Sequence, residues 1–272
     1  GMKEEEEEGN DRAGNLWRIF VRLIQTIWER GEVPRQMLWM VVVLLPKGGG
    51  DYRGIGLLEP FWKVLEVLMD SRLQSIEFHD CLHGFLAGRG TGTATTEVKL
   101  TQQLAYLEQD PLYGIFVDLK KAYDAMDRER CLAIMKAYGV GPKLLRLIRF
   151  FWDNAELVCR ASGVFGRPFK AFRGVTQGGP VSPRIFNIMV DAIIREWLRQ
   201  VLGEEAAKSG VGEEVKRFLA AFYADDGLVQ SRCPVQLQSA FDLLVALFDR
   251  VGLRTNTSKT KAMVCVQGKI RQ

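Results

Sequence analysis

The amino-acid sequence predicts an α+β fold, in which helices are interspersed with antiparallel β-hairpins. Apolar residues recur at helical spacing in several segments, and valine-rich runs of strand length lie between them. Turns rich in glycine and aspartate join neighbouring runs, and neither an internal repeat nor a long linker interrupts them. With 272 residues, 47% of them hydrophobic, the chain can bury one large core or two small ones.

In the first part of the chain, helical and strand patterns alternate. Apolar spacing predicts a helix over 16–27 that ends at Gly31. The run over 38–45 is apolar at every position, which is typical of a strand buried on both faces. The elements that follow are a turn over 48–51, a strand over 52–57, a helix over 59–78, a Gly/Thr-rich loop over 83–96 and a helix to about 109.

The second part contains the predicted hairpins. A short strand over 115–117 leads directly into Asp118, and two strands over 218–222 and 228–230 enclose an acidic turn. The other predicted elements are helices from about 128, over 142–152, 182–201 and 235–251, strands over 156–162, 167–173 and 261–266, and a polar loop over 203–212.

Several classes of protein are excluded by composition. The longest apolar run, over 37–45, has nine residues, far fewer than the roughly 20 of a membrane-spanning helix. The five cysteines form no CxxC pair, which argues against a disulfide framework or a zinc site and favours a reducing compartment. We therefore expect an intracellular protein, in the cytoplasm or nucleus, with no membrane partner. With only His79 and His83 in the chain, a histidine-based site is not expected.

Charge is distributed unevenly along the chain. Residues 1–12 hold six acidic and two basic residues, so a net charge of +4 for the whole becomes +8 for the remainder. We expect residues 1–14 to form an acidic, disordered tail. The basic remainder points weakly to a polyanionic partner, whereas solubility alone is the simpler explanation.

Three aspartates stand at predicted strand ends. Asp118 follows a strand, and Asp225 and Asp226 lie at the tip of a hairpin. Adjacent carboxylates repel each other, and a divalent cation would compensate this repulsion. Oxygen ligands suit Mg²⁺, and two such ions can support phosphoryl transfer. The alternative, taken from these residues alone, is an ordinary polar turn.

The wider sequence resembles reverse transcriptases. The segment Phe222–Asp226 resembles their YxDD box, Phe116–Asp124 their first aspartate motif, and Arg173–Asn187 the motif between the two. Four further stretches agree in the family's order, namely 45–47 with 52–53, 83–85 with 88–91, 252–253, and 256–261. The resemblance covers about residues 40–265 and is nearest to the enzymes of non-LTR retrotransposons and group II introns, which it does not separate.

The resemblance implies a right-hand polymerase fold, with fingers and a palm built on an antiparallel sheet. Residues 15–110 would be mainly fingers and residues 111–272 mainly palm, with fingers elements interleaved near 127–175. Because the chain ends soon after the last predicted strand, we expect the thumb to be absent.

The resemblance also implies a catalytic site. Asp118, Asp225 and Asp226 match the catalytic triad, which holds two Mg²⁺ ions, with Mn²⁺ as a substitute, and the backbone of Leu119 would be a further metal ligand. Tyr123 would exclude a 2′-hydroxyl. The other residues implied at the dNTP are Ala122, which keeps the sugar pocket shallow, Phe186 beneath the sugar, and Gln177.

Basic residues complete the implied site. Lys47 and Arg53 would bind the triphosphate, and Lys259 would stand near the leaving pyrophosphate as a proton donor. Arg89 and Gly178 would contact the template and primer. The alternative at Tyr123 is a core aromatic, at Lys47 and Arg53 a solvated turn, and at Arg89 a loop cation.

The function implied is that of an RNA-directed DNA polymerase, whose partners are an RNA template, a DNA or RNA primer and dNTPs. Two alternatives stay open: a polymerase of the same fold that copies DNA, and a non-catalytic, maturase-like RNA-binding scaffold. The chain departs from the family pattern at Gly54, where proline is usual, and at Cys81, where glutamine is common. No oligomeric state is predicted.

Overall fold

A computed structural model describes residues 2–48, 51–161, 163–208, 218–266 and 269–271, with side chains from residue 14 to residue 266 within those ranges. The chain divides into two compact units. The first unit consists of Gly1–Met69 with Gly139–Phe172, and the second of Asp70–Tyr138 with Arg173–Gln272.

Helices and strands alternate along the described residues. The helices are α1 (Met2–Arg30), α2 (Pro60–Leu73), α3 (Thr91–Leu107), α4 (Ala122–Ala125), α5 (Arg128–Ala137), α6 (Pro142–Asn154), α7 (Ser182–Leu202), α8 (Glu204–Lys208) and α9 (Pro234–Arg250), with a 3₁₀ turn at Arg35–Leu38. The strands are β1 (Trp39–Gly48), β2 (Asp51–Leu58), β3 (Leu112–Asp118), β4 (Glu156–Ala161), β5 (Val164–Phe165), β6 (Phe218–Tyr223), β7 (Asp226–Ser231), β8 (Lys261–Val266) and β9 (Lys269–Arg271).

The first unit contains a four-stranded sheet in the order β2-β1-β4-β5. β1 pairs antiparallel with β2 and parallel with β4, so it is an interior strand of the sheet. The expectation that this strand is buried on both faces is wrong, since Met40 is buried but Trp39, Leu44 and Leu45 are exposed. The ring of Trp62 on α2 stacks on Phe151 of α6, with centroids 3.9 Å apart and planes 7° apart. Both rings are buried, and they join α2 to α6.

The second unit contains a five-stranded antiparallel sheet in the order β6-β7-β3-β8-β9. β3 therefore lies between β7 and β8, and its Leu112 and Val117 are buried. The buried indole of Trp197 on α7 donates from Nε1 to the Ala240 carbonyl of α9 at 2.7 Å. This bond satisfies the one polar atom of a large core side chain.

The first correction concerns the N-terminus. Residues 1–14 were expected to be disordered, but α1 begins at Met2. Glutamate is a good helix former, and negative charge in the first turns is favourable to the helix dipole. The acidic run Glu4–Glu8 is therefore compatible with a helix that continues into the predicted segment over 16–27.

A second correction concerns the strand expected over 167–173. Only Phe169 pairs there, in an isolated bridge whose two backbone hydrogen bonds with Leu157 are 2.8 and 2.9 Å long. Pro168 interrupts the pattern because it has no N–H to donate. The short β5 takes the place of this strand beside β4.

Smaller differences affect element ends and the division into units. α2 ends at Leu73 instead of 78, α4 follows Lys121, and α8 opens the expected polar loop, the rest of which falls mainly outside the described residues. Residues 70–110, expected with the fingers, group with the unit that carries the acidic hairpin. In the described part of the chain, no helix has both the length and the apolar character needed to cross a bilayer.

Candidate active site

Strand register in the second unit places the predicted acids together. β3 ends at Asp118, β7 begins at Asp226, and these two residues are directly opposed across the antiparallel pair. Opposed residues point to the same face of a sheet, with Cβ atoms about 5 Å apart. The Leu119 N–H donates to the Asp225 carbonyl at 3.3 Å, which ties the turn to the end of β3.

The acidic turn has unusual backbone geometry. Ala224 and Asp225 are its two central residues, between β6 and β7, and Ala224 has φ +55°. A positive φ at the first central residue alone is the sign pattern of a type II′ turn, where glycine is preferred. Such a residue costs about 1 kcal/mol or more, and strain of this kind is often retained where it aims a functional side chain.

A loop segment braces this turn from the side of β6. The Phe222 N–H donates to the Cys81 carbonyl at 2.7 Å, and the His83 N–H donates to the Phe222 carbonyl at 2.8 Å. A Cβ on Gly84 would lie 2.7 Å from the Ala224 nitrogen, so only glycine fits without movement. The buried amide of Asn187 holds this segment by donating to the Gly84 carbonyl at 2.7 Å.

Among the described residues, the Asp118 carboxylate has two protein partners. Asn256 donates from Nδ2 to Oδ1 at 2.7 Å, and the Asn256 N–H also donates to the Asp118 carbonyl at 2.7 Å. Lys259 places Nζ 3.4 Å from Oδ2. The Lys259 side chain is 57% exposed and that of Asp118 is 21% exposed.

An open pocket of about 540 Å³ lies over these groups. Its lining residues are Phe116, Val117, Asp118, Asp226, Gly227, Ser258, Lys259 and Lys261. The structure therefore brings Asp118, Asp226 and Lys259 to one pocket.

The donor set fits a hard divalent cation in its chemistry. Directly opposed like charges destabilise a strand pair, so Asp118 and Asp226 favour a bound cation, and carboxylate oxygens suit Mg²⁺. In the part of the chain that the structure describes, no three acidic, histidine or cysteine side chains converge as a complete metal site. Lys259 supplies positive charge to one of the Asp118 oxygens.

An aromatic pair lies beside the acids. Tyr123 on α4 stacks on Phe186 of α7, with ring centroids 4.6 Å apart and planes 16° apart. Phe186 is fully buried, and Ala122 next to Tyr123 is also buried. The Tyr123 hydroxyl is buried with no hydrogen-bond partner among the described residues. Burial raises the pKa of Tyr123, and the nearby Asp225 and Tyr223 raise it further.

The glycine-rich segment before α7 runs beside the same residues. Val175 donates its N–H to the Tyr123 carbonyl at 2.8 Å, and a Cβ on Gly174 would lie 2.4 Å from that oxygen. Gln177 donates from Nε2 to Asp124 Oδ1 at 3.0 Å, and Gly178 has φ +108°. Gln177 and Gly178 therefore lie in a segment that is fastened to the Tyr123 region.

Lys47 and Arg53 belong to the first unit. Lys47 is near the end of β1, Arg53 is opposite Leu45 on β2, and both cations are exposed. Gly54 continues the regular ladder opposite Leu44, and a Cβ there would lie 3.0 Å from Val42 Cγ1. The departure from the family pattern at Gly54 thus leaves the β1–β2 pairing intact.

Arg89 binds groups of its own loop, and its expected contact with the template or primer stays a prediction. Its guanidinium donates to the carbonyls of His79 at 2.7 Å and Leu82 at 3.0 Å, and to Asp80 Oδ1 at 2.9 Å. These bonds fasten the loop that braces the acidic turn. Because a guanidinium has only five N–H donors, its binding to its own loop leaves little for nucleic acid.

Three residues of the site were missed in the sequence. Asn256, Asn187 and Gly84 all support the acids without being acidic or basic themselves. Asn256 stands three residues before Lys259, and that proximity was the available signal. The contact with Asp118 spans 138 residues and depends on the sheet register.

The sequence is similar to those of several known proteins. The family profile described as "Reverse transcriptase (RNA-dependent DNA polymerase)" matches residues 45–270. A retrovirus-related Pol polyprotein from the type-2 retrotransposable element R2DM of Drosophila melanogaster is 26% identical over 89% of this chain. An uncharacterized 149 kDa protein of transposon TX1 from Xenopus laevis is 23% identical over 90%. The chain spans 23% and 19% of the lengths of these two relatives.

Solved structures share the fold. Apo telomerase from Candida tropicalis, truncated from its C-terminal domain, superposes with a TM-score of 0.63 at 14% identity, over 95% of this chain and 60% of that one. Telomerase from Candida albicans, in complex with a fragment of telomeric RNA, gives 0.59 at 12% identity, over 91% and 46%. These likenesses confirm the predicted α+β right-hand polymerase fold with an antiparallel sheet. Because the family profile covers most of its length, the chain belongs to the reverse transcriptase family, and its relatives come from retrotransposable elements, as the resemblance to non-LTR enzymes predicted.

Proposed function

We propose that this chain is the core of an RNA-directed DNA polymerase, which adds dNTPs to the 3′-hydroxyl of a DNA or RNA primer on an RNA template. The observation that carries the proposal is the pairing of Asp118 with Asp226, beside the strained turn that holds Asp225. The family assignment supports the same activity.

The catalytic residues of this proposal are Asp118, Asp225 and Asp226, with the Leu119 backbone as a further ligand. They would hold two Mg²⁺ ions, or Mn²⁺ in their place. When bound, the ions would activate the primer hydroxyl and stabilise the leaving pyrophosphate. Paired like charges and an all-oxygen donor set support this assignment.

The incoming dNTP is assigned to the aromatic pair. The firm stacking of Tyr123 on the buried Phe186 supports a rigid wall that would exclude a 2′-hydroxyl, and the small Ala122 beside it leaves room for the sugar. Gln177 is assigned to the nucleotide because its segment is fastened to the Tyr123 backbone.

Basic groups are assigned to the phosphates. Lys259 lines the pocket over the acids, which supports a role as proton donor at the pyrophosphate. Lys47 and Arg53 are exposed on the β1–β2 hairpin, which we assign with the rest of the first unit to the fingers, and the second unit to the palm. Gly178, in the same segment as Gln177, is assigned to the primer or template, whose phosphate backbone the net positive charge of residues 13–272 would attract.

Primer extension tests the proposal. The chain is mixed with Mg²⁺, dNTPs and a primer annealed to an RNA or a DNA template, and products are followed over time. We expect Asp226→Asn to lower the extension rate by about 1,000-fold or more, because transition-state charge loses several kcal/mol of stabilisation. The matched control is Asp242→Asn, a carboxylate exposed on α9, which should extend at the wild-type rate.

Each outcome has a defined meaning. Extension on DNA but not on RNA would replace the proposal with a DNA-copying polymerase. RNA binding without extension on either template would favour the non-catalytic scaffold. Extension that survives Asp226→Asn would show that the site is assigned wrongly.

A further inference from the structure

The two partners of the Asp118 carboxylate differ in how firmly they are held. Asn256 approaches Oδ1 at 2.7 Å and is attached to the same residue a second time through its backbone N–H. Lys259 approaches Oδ2 at 3.4 Å from a side chain that is 57% exposed. One partner is therefore fixed, whereas the other is loosely placed.

The Asn256 amide is fixed by the turn that follows it. The backbone N–H groups of Lys259 and Thr260 donate to the Asn256 carbonyl at 3.0 and 2.9 Å. The Ser258 hydroxyl donates to Asn256 Oδ1 at 2.8 Å, so the amide oxygen is occupied and Nδ2 is directed at Asp118. A side chain held at both ends of its amide can set the position of the carboxylate that it binds.

Lys259 is suited to leave its position. An exposed ion pair is worth little, because water screens it and a long side chain loses rotamer entropy in making it. A divalent cation at the same oxygen carries twice the charge of an ammonium group, so it attracts the carboxylate more strongly than Lys259 does. Lysine also has a flexible four-carbon stem that can move its charge elsewhere in the pocket.

We propose that Asn256 is a positioning residue for Asp118 and that Lys259 is the exchangeable counter-ion of the same carboxylate, displaced when a divalent cation binds. The inference rests on the proposed function in taking Asp118 as a metal ligand. It adds that the ammonium group of Lys259 takes the place of the metal ion beside Asp118 when no metal is bound. Displacement would release the Lys259 ammonium for the nucleotide phosphates, in agreement with its proposed role.

Binding of Mn²⁺ tests the counter-ion directly and without any nucleotide. Free Mn²⁺ is titrated by electron paramagnetic resonance against the whole chain. Lys259→Met removes the competing charge, and we expect the Mn²⁺ dissociation constant to fall about threefold. Lys261→Met is the matched control, because it removes the same charge from the same pocket but not from Asp118, and it should change the constant much less.

The positioning role is tested in the same titration. Asn256→Ala keeps the backbone bond to Asp118 but loses the amide, and we expect Mn²⁺ binding to weaken about tenfold. Ser258→Ala leaves Asn256 in place and only releases its amide, so it should weaken binding by a smaller factor. If Asn256→Ala does not fold, as judged by thermal unfolding, the Ser258→Ala result decides.

The outcomes separate this inference from the proposed function. An unchanged or weaker Mn²⁺ affinity in Lys259→Met would overturn the counter-ion, and wild-type affinity in both Asn256→Ala and Ser258→Ala would overturn the positioning role. If the wild type binds no Mn²⁺, or if Asp118→Asn binds it equally well, the whole inference is wrong. If the titrations behave as expected while the wild type extends no primer, only the proposed function fails.

Discussion

Two aspartates of the second unit differ in the burial and in the hydrogen-bond partners of their carboxylates. Asp191 on α7 is fully buried and accepts three hydrogen bonds, from the His79 N–H at 2.7 Å, the Tyr138 hydroxyl at 2.6 Å and Arg195 Nε at 2.6 Å. Asp118 at the end of β3 keeps part of its surface exposed, and one of its two side-chain partners is a solvated lysine.

The difference distinguishes a carboxylate that stabilises the fold from one that is accessible to a ligand. A buried charge is tolerated only when its hydrogen-bonding capacity is filled, so Asp191 is committed to its three donors. These donors come from a loop, from the residue that follows α5, and from α7. Asp118 retains access to solvent and pairs with an exposed lysine, which leaves it accessible to the cation proposed for this site. Both are aspartates next to apolar residues in the sequence. The family motif singles out Asp118, but the partners of the two carboxylates are visible only in the structure.

Replacing each aspartate with alanine should affect the free energy of unfolding very differently. Asp191→Ala should lower the free energy of unfolding by about 3–5 kcal/mol, because it leaves the Arg195 charge and two other donors without their acceptor. Asp118→Ala should lower it by about 1 kcal/mol or less, because the ion pair that it loses is solvated and because relief of the repulsion from Asp226 offsets loss of the Asn256 hydrogen bond. Urea denaturation in metal-free buffer measures both. Equal losses for the two variants would contradict the distinction.

The next effect concerns the brace of the acidic turn. Gly84→Ala places a methyl group 2.7 Å from the Ala224 backbone nitrogen, so the loop or the turn must shift. We expect a loss of about 1–3 kcal/mol in the free energy of unfolding, together with slower primer extension as Asp225 moves.

The control for this variant is Gly92→Ala. Gly92 lies on α3, where an added Cβ has no atom within 4 Å, and alanine is the better helix former. Gly92→Ala should therefore keep or slightly raise stability. A Gly84→Ala variant with normal stability and normal extension would show that the brace does not position the turn.

A smaller effect is expected at the aromatic pair. Tyr123→Val shortens the wall that stacks on Phe186, and we expect the preference for dCTP over CTP, as a ratio of kcat/KM, to fall about tenfold. The control is Tyr106→Val, an exposed aromatic on α3, which should keep the wild-type preference. If Tyr123→Val also keeps that preference, the pair is only part of the core.

Local pattern was enough to predict the acids at strand ends, because a strand and the residue that ends it are read from adjacent positions. The antiparallel hairpin that pairs Tyr223 with Asp226 was predicted for the same reason. The partner of Asp118 was not, since Asn256 is 138 residues away and reaches it only through the register of β3 beside the segment before β8.

Charged residues were harder to interpret than apolar ones. Arg89 has the same sequence character as a cation that binds phosphate, yet its loop folds back and supplies carbonyl acceptors for it. The acidic run Glu4–Glu8 has a composition that fits disorder and helix equally well. In both cases the outcome depends on partners that the local sequence does not specify.

A small pH dependence of stability is expected from His79, which donates its backbone N–H to Asp191. The His79 ring is neutral in this network, because Nε2 bonds the Ala206 carbonyl at 2.8 Å while Nδ1 accepts the Cys81 N–H at 3.2 Å. Protonation would turn Nδ1 into a donor facing another donor. Burial lowers the pKa of His79, and it outweighs the hydrogen bond to the Ala206 carbonyl, which raises the pKa. The nearby Arg195 lowers the pKa further, against smaller opposing contributions from Asp191 and Asp80.

The sign of the pH dependence follows from this lowered pKa. The unfolded chain binds a proton at His79 near pH 6.5, whereas the folded chain does not until a lower pH, so falling pH favours the unfolded state. Stability should therefore be full at about pH 7.5 and partly lost by about pH 5.5, a window above the ordinary range of carboxylates. His79→Asn should be less stable at the higher pH but should lose less between the two, as measured by urea denaturation. If this variant keeps the full wild-type loss, the titrating group lies elsewhere and the Asp191 network is not its source.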